Sequence, residues 1–413
     1  MDIRVDINRL KKDLEDLGAI GRDARGGISR PSFSRADLEA RQWLKDRIQS
    51  AGLELRQDGA GNIFGRMGGP GAAVMTGSHI DTVVNGGMFD GACGVLSALE
   101  CLRRIKEEKI ALAKPLEMVS FTDEEGNLVG DFIGSRAFIG GLNREDVERG
   151  TTQIGPPLKD ILAGTEFTVE SILSTGLERP KVEAYLELHI EQGPVLETEG
   201  LSVGLVDRIA GKQDRLCSFL GMASHAGATP LELRKDAFLG LAEFAVKSTQ
   251  LVATRHYGNV VTIGKVGVTP GSFSIVPARA DFSLDFRSTS AETLHAMEKE
   301  LLGLAEDVAA TRGLSFGSKL IDATEPVVVP DRLMRILKEG SEGFGYPSLV
   351  LPSGAGHDAQ ILAAVTDIAM IFIPSIDGLS HSPQEAIEWD DLEKGANLLL
   401  YGLIRLAQQK SSK

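Results

Sequence analysis

The order of apolar segments between residues 211 and 320 constrains the fold more than any other feature of this chain. Strand-like 215–222 is followed by a helical pattern over 233–252, strands within 259–268 and 279–287, a second helix over 291–311, and strand-like 315–320. That β-α-β-β-α-β order predicts a ferredoxin-like α+β sandwich. Outside it the texture differs. Apolar 72–75 ends in Thr-Gly-Ser-His, and 91–106 places Val95, Leu99 and Leu102 at helical spacing. Apolar 116–122 closes on Asp-Glu-Glu-Gly, and in 184–190 Leu186, Leu188 and Ile190 alternate with Glu187 and His189. Alternating strands and helices predict an α/β domain with a mostly parallel central sheet, whose ligands bind beyond the strand ends. Signals of this first type return at 348–351 and 368–374. The expected organisation is therefore a discontinuous catalytic domain, 1–210 and 326–413, carrying an inserted lid and dimerisation domain over 211–325. With 413 residues, the chain exceeds the roughly 250 to 300 at which a single core stops growing.

Charge narrows the partners. A formal net charge of -14 repels phosphate backbones and anionic membranes, so neither nucleic acid nor a membrane surface is expected. Three cysteines without a CxxC pair, and a charged helical start in place of an apolar signal core, place the chain in a reducing cytoplasm. No apolar run approaches the roughly 20 residues a spanning helix needs. The 410–413 tail is the one stretch expected to be disordered.

Five of the seven histidines, His79, His189, His225, His357 and His381, lie at strand ends or in Gly-, Ser- or acid-rich loops; His256 and His295 do not. In Gly77-Ser78-His79-Ile80-Asp81, the two-residue spacing lets Asp81 orient an imidazole that binds metal. Asp90, in a tight turn before a helix, could bridge two ions or simply cap that helix. Asp123-Glu124-Glu125 stacks three acids at the end of a buried-type strand, which is costly unless cations or solvent are near. One glutamate could ligate metal while its neighbour takes a proton from water; the plainer reading is a solvated acidic turn. Nitrogen and oxygen donors without thiolate suit Zn, Mn, Co or Ni. Arg287 shares a strand face with Asp285, and could clamp a substrate carboxylate or form a surface ion pair.

Taken together these motifs resemble the dinuclear metallopeptidase and amidase superfamily of aminoacylases, specifically its hydantoinase/carbamoylase subgroup. The resemblance covers nearly the whole chain and runs through GSHIDTVVNGGMFDGACGVL, TDEEGN, ELHIEQGPVLE, SHAGATPLELRKDA, SIVPARADFSLDFR, PSGAGHDAQ and FIPSIDGLSHSPQE. It implies two divalent metal ions per subunit, one held by His79 and His189, the other by Glu125 and His381, with Asp90 bridging and Asp81 supporting His79. Glu124 would be the general base, and His225, supplied in trans within a homodimer formed through the lid, would stabilise the oxyanion. Gln192 and Arg287 would contact substrate, helped by the 354–357 loop with Gly356 and His357. Two positions depart from the subgroup's pattern. Ser274 stands where an asparagine is usual, shortening one amide contact to the substrate, and Leu128-Val129 stands where Arg-Phe is common.

The chemistry this implies is hydrolysis of the carbamoyl group of an N-carbamoyl-L-amino acid or related ureido acid. Two other readings stand beside it: an aminoacylase or dipeptidase acting on an ordinary amide, and a catalytically silent metal- or ligand-binding homologue.

Overall fold

The structure, a computed structural model, describes residues 3–128, 130–149 and 156–409. Val129 and the 410–413 tail fall outside the described residues. The chain divides into two compact units, residues 1–207 with 328–413 and residues 208–327.

The first unit is built on a large mixed sheet. Its centre is parallel, in the order Leu116–Phe121, Ala73–His79, Val182–Ile190, Ile368–Ile373. These strands are buried along most of their length, as expected where crossover helices cover both faces. The parallel centre is the one expected from sequence; both flanks, which the sequence did not suggest, are antiparallel. Glu54–Gln57 and Ile63–Met67 form a hairpin that pairs antiparallel with Leu116–Phe121, and Val203–Ile209 runs antiparallel to Ile368–Ile373. For Glu54–Gln57 and Ile63–Met67 the physical reason is connection length: a hairpin closes with a short turn, whereas each parallel neighbour needs a helical crossover.

Helix Ala92–Glu107, largely buried, packs on the central strands beside helix Trp389–Gln408. Its close approach depends on Gly94, where an added Cβ would come within 2.3 Å of the Leu188 carbonyl oxygen on a central strand. The charged start of the chain forms helix Ile7–Gly18, and Ser34 caps helix Arg35–Ser50 by accepting from the Asp37 N–H.

The second unit is a five-stranded antiparallel sheet with two helices. Val266–Thr269, Arg279–Ser288, Gly211–Leu220 and Ser315–Thr324 lie side by side, with Val260–Thr262 also on Arg279–Ser288. This places the second and third strands of the β-α-β-β-α-β order together and the first between the third and fourth, the arrangement of a split βαβ sandwich. Helices Ala237–Arg255 and Ala291–Arg312 pack against the sheet. Along Arg279–Ser288 the buried Ala280, Phe282, Leu284 and Phe286 alternate with Asp281, Asp285 and Arg287, the period of two of a half-buried strand. No helix among the described residues is long and apolar enough to cross a membrane.

Candidate metal centre

Because the four central strands are parallel and adjacent, their carboxyl ends open at one edge of the sheet. His79 ends one strand in register with Phe121, the residue before the Thr122-to-Glu125 turn. His189 pairs with Phe372, and His381 follows that last strand through a short loop. Four segments far apart in sequence thus deliver their polar residues to one place.

Asp90 is the centre of that place. It is buried, and its two oxygens face different histidines: Oδ1 lies 3.2 Å from His189 Nε2, and Oδ2 lies 3.1 Å from His381 Nε2. His381 Nε2 is also 3.2 Å from Glu125 Oε2. Two groups with ligand atoms within 4.8 Å of one another share this aspartate, His79-Asp90-His189 and Asp90-Glu125-His381. The helix-capping reading of Asp90 is not realised, because the N-cap of Ala92–Glu107 is Gly91 and receives no side-chain hydrogen bond. Gly91 has φ +62°, and a Cβ there would sit 2.3 Å from His79 Nε2, so a larger residue would occupy the face His79 presents to the centre.

The histidine tautomers fit a metal. His79 Nδ1 lies 3.0 Å from the Asp81 carbonyl and His189 Nδ1 lies 2.9 Å from the Ile190 carbonyl. A carbonyl only accepts, so both Nδ1 atoms carry a proton and both Nε2 atoms face inward, where an ion would take the place of any second proton. His189 Nε2 is buried and makes no well-directed hydrogen bond. Burial holds the His79 pKa below its usual value, leaving the ring neutral as a ligand must be. Against burial, Asp90 raises His189 to about 9, while hydrogen bonds that His381 donates to Asp90 and Glu125 carry it to about 11. Burial would push Asp90 up, but His189 and His381 hold its carboxyl well below the ordinary range. Burial, then the neighbouring Glu125, drives Glu124 well above it. Such crowded buried acids call for cations, and the donor set, imidazoles and carboxylates without thiolate, matches a borderline divalent ion.

Of the three stacked acids, the structure divides the labour. Asp123 turns away, its Oδ2 accepting the Leu128 N–H at 3.0 Å. Glu125 faces His381, and Glu124 Oε2 lies 3.6 Å from His79 Nε2. Three residues here hold left-handed backbone, Asp123 (φ +57°), Gln192 (φ +59°) and His381 (φ +54°), strain of the kind that concentrates at functional sites.

Several expected roles are placed differently. Asp81 reaches His79 chiefly through its carbonyl, its carboxylate Oδ1 being 3.7 Å from Nδ1. The carboxylate instead accepts the Glu124 and Glu125 N–H groups, each at 3.4 Å, so it orients the acidic pair. Gln192 Nε2 donates to Asp90 Oδ2 at 3.0 Å and lies 3.2 Å from Ser380 Oγ. His357 has no exposed surface; its Nε2 lies 2.9 Å from Ser353 Oγ and its ring packs edge-on to His189 at 4.6 Å. Gly356 lies against Phe132, where a Cβ would meet the ring at 2.8 Å.

The remaining expected residues belong to the second unit. His225 Nδ1 accepts the Gly227 and Ala228 N–H groups at 3.1 and 3.0 Å, which puts the ring proton on Nε2 as a free donor. Ile275 pairs with His225, and the Ser274 carbonyl accepts the Ala226 N–H at 2.8 Å, so Ser274 and His225 are neighbours across a short ribbon. Arg287 makes the ion pair with Asp285, NH2 to Oδ2 at 3.0 Å and Nε to Oδ1 at 3.1 Å.

Sequence reasoning missed Glu385. Its Oε1 accepts the Phe89 and Asp90 N–H groups at 2.7 and 3.1 Å, and Ser380 Oγ lies 3.1 Å from both Glu385 Oε2 and Asp90 Oδ2. Its only signal was an acid four residues beyond His381. Glu187 was also missed; it accepts from Ser78 Oγ at 2.7 Å and from the Ala359 N–H at 3.0 Å.

The signature of Peptidase family M20/M25/M40 matches residues 75–404. The chain is 37% identical to an N-carbamoyl-L-amino acid amidohydrolase of Geobacillus stearothermophilus, over 97% of this chain and 98% of the relative. It is 35% identical to an allantoate amidohydrolase of Escherichia coli, over 97% and 98%. An amidase of the hydantoinase/carbamoylase family from Burkholderia vietnamiensis superposes with a TM-score of 0.88 at 32% identity, covering 99% of each chain. The chain therefore belongs to peptidase family M20/M25/M40 and sides, within it, with the hydantoinase/carbamoylase amidases.

Proposed function

We propose that this chain is a metal-dependent amidohydrolase that removes the carbamoyl group from an N-carbamoyl-L-amino acid or a related ureido acid. The products are the amino acid, carbon dioxide and ammonia. The observation that carries the reading is Asp90, buried and shared between His189 and His381 with Glu124 beside it. His79 and His189 would hold one divalent ion and Glu125 and His381 the other, with Asp90 common to both; Mn, Zn, Co and Ni all accept these ligands. When bound, the ions supply Lewis-acid polarisation of the ureido carbonyl and lower the pKa of water.

The chain's own residues do the rest. Glu124 takes the proton of the attacking water on a carboxylate oxygen and gives it to the leaving nitrogen, the work of a general base and then acid. Asp81 fixes Glu124 through its backbone N–H. We assign the Nε2–H of His225 to the oxyanion and the fork of Arg287 to the substrate carboxylate. We further propose a homodimer through the second unit and a cytoplasmic location, which the three buried free thiols suit.

The test is Glu124→Gln. Turnover of N-carbamoyl-L-amino acids should fall by roughly 10²- to 10⁴-fold while two ions per chain are retained; unchanged turnover would remove Glu124 from the mechanism. A panel of ureido acids, N-acyl amino acids and dipeptides decides the bond. Amine release from N-acyl compounds or dipeptides, without ammonia from ureido compounds, would move the enzyme to the aminoacylase or peptidase reading, and no metal-dependent turnover of any kind would favour a silent binder. Mixing Glu124→Gln with His225→Ala chains tests the trans assignment: activity restored by mixing supports it, and two inert halves that stay inert do not.

A further inference from the structure

Two arginines of the N-terminal segment lie buried beneath the metal centre, before residue 75 where the family signature begins. Arg30 is among the largest fully buried side chains, 1% exposed. Its Nε donates to the Ile80 carbonyl at 2.6 Å, and its NH1 donates to the Leu17 and Ile20 carbonyls at 3.0 Å each. Ile80 is the single residue between His79 and Asp81. The backbone adds to this grip, since the Arg30 N–H donates to Thr82 Oγ1 at 2.9 Å and the Thr82 N–H donates to the Arg30 carbonyl at 3.1 Å. Arg41 holds the other strand end. Its NH2 donates to Thr122 Oγ1 at 3.1 Å, its NH1 to the Gly61 carbonyl at 2.7 Å, and its Nε to Asp37 Oδ2 at 2.5 Å. Thr122 leads directly into Asp123-Glu124-Glu125. The Asp81 carboxylate then links the two ends by accepting the Glu124 and Glu125 N–H groups.

Taking a guanidinium out of water costs several kcal/mol. If Arg30 served only to finish helix Ile7–Gly18, a glycine or water at the exposed carbonyls would do so at lower cost. What one guanidinium does that these cannot is fix, in a single rigid fork, carbonyls of two separate segments. The direction of the Ile80 carbonyl sets the peptide planes on either side of it, and hence how His79 and Asp81 face the centre. Ligands held this way keep their geometry, and the loss of comparable supporting partners lowers metal affinity by roughly 10- to 100-fold.

We propose that Arg30 and Arg41 are positioning residues for the metal centre, Arg30 for the ligand strand ending at His79 and Arg41 for the turn bearing Glu124 and Glu125. The proposal rests on the two-ion reading above, and cobalt(II) titration of metal-free protein, followed by its visible spectrum, separates the two. Wild type that takes up no cobalt sinks the two-ion reading itself. If wild type takes up two ions, Arg30→Met should weaken one binding step by roughly 10- to 100-fold and shift the spectrum of the ion at His79. Arg41→Met should weaken the other step. Arg47→Met, in the same segment but bonded to Asp13 and Asp16, should change neither. Arg30→Lys keeps the charge without the fork, so it should recover only part of the affinity; it also carries the test if Arg30→Met does not fold. Variants that lower the unfolding midpoint of the metal-free protein yet bind both ions with the wild-type affinity and spectrum would show the arginines to be structural only and overturn the proposal.

Discussion

Both units have an apolar core, but among the described residues only the first adds to it a cluster of buried acids. At the strand ends of the first, Asp81, Asp90, Asp123, Glu124, Glu187, Asp358 and Glu385 are all buried, with His79, His189 and His357 among them. The second has a core cluster of Phe219, Phe244, Phe282, Phe286 and aliphatic partners, and among its described residues the only buried acidic or basic side chains are Lys212 and His256. Burying carboxylates is favourable only when each finds a partner or a cation, whereas an apolar core depends on volume and close contact. The contrast predicts that the first unit's stability depends on what its site holds, while the second unit's depends on the packing of its apolar core.

The largest effect that would break this contrast is a cavity in the apolar core. Phe219 is fully buried, stacked on Phe282 at 5.7 Å and close to Phe316 at 5.3 Å. Phe219→Ala should cost roughly 3–5 kcal/mol of the second unit's stability, read from urea unfolding, with metal content unchanged. Metal lost in proportion to that destabilisation would show the two interiors to be coupled. Next in size is removal of the ions. Chelation from about 100 times the dissociation constant should withdraw about 2.7 kcal/mol from the first unit's unfolding and leave the second unit's transition where it was; a shift of both would again deny the contrast. Smaller still is Ser380→Ala, which removes one hydroxyl from between Asp90 and Glu385. The expected loss is about 1 kcal/mol, appearing as a fall of about fivefold in metal affinity.

How much of this was legible in the sequence follows the same division. The second unit's order of elements could be read because period-two strands and long helices leave strong local patterns. At the first unit's centre, His79, Asp90, Glu125, His189 and His381 each had a plainer structural reading when taken singly, and it was the resemblance that joined them into one ligand set. The supporting residues lay outside that set. Arg30 and Arg41 belong to no motif, and only the fold reveals that their partners are the carbonyl of Ile80 and the hydroxyl of Thr122. Glu385 read as a turn acid because its partners, the Phe89 and Asp90 N–H groups, are 295 and more positions away. The antiparallel flanks of the sheet were missed because short, half-exposed strands such as Glu54–Gln57 carry little pattern.

The smallest expected effect tests whether the contrast stops at the interior. Each unit carries a surface glutamate between two cations: Glu107 with Arg9 and Arg104 in the first, Glu243 with Lys247 and Arg312 in the second. The Arg9 hydrogen bond, helped by Arg104, lowers Glu107 to about 2, and Lys247 with Arg312 lowers Glu243 in the same direction. A carboxylate depressed in the folded state contributes stability that is fully present above its unfolded pKa, roughly 4.3, and is lost as pH falls through the folded value. Both sites are largely open to solvent, so each contributes less than about 1 kcal/mol and is screened by salt. Glu107→Gln and Glu243→Gln should therefore lower the urea midpoint slightly at pH 6, with both differences shrinking as the pH falls below 4 and as salt is added. A deficit that persists in acid or in high salt for Glu107→Gln alone would mean that the first unit's dependence on charge reaches its surface, where helix Ile7–Gly18 docks on Ala92–Glu107, and is not confined to the metal centre.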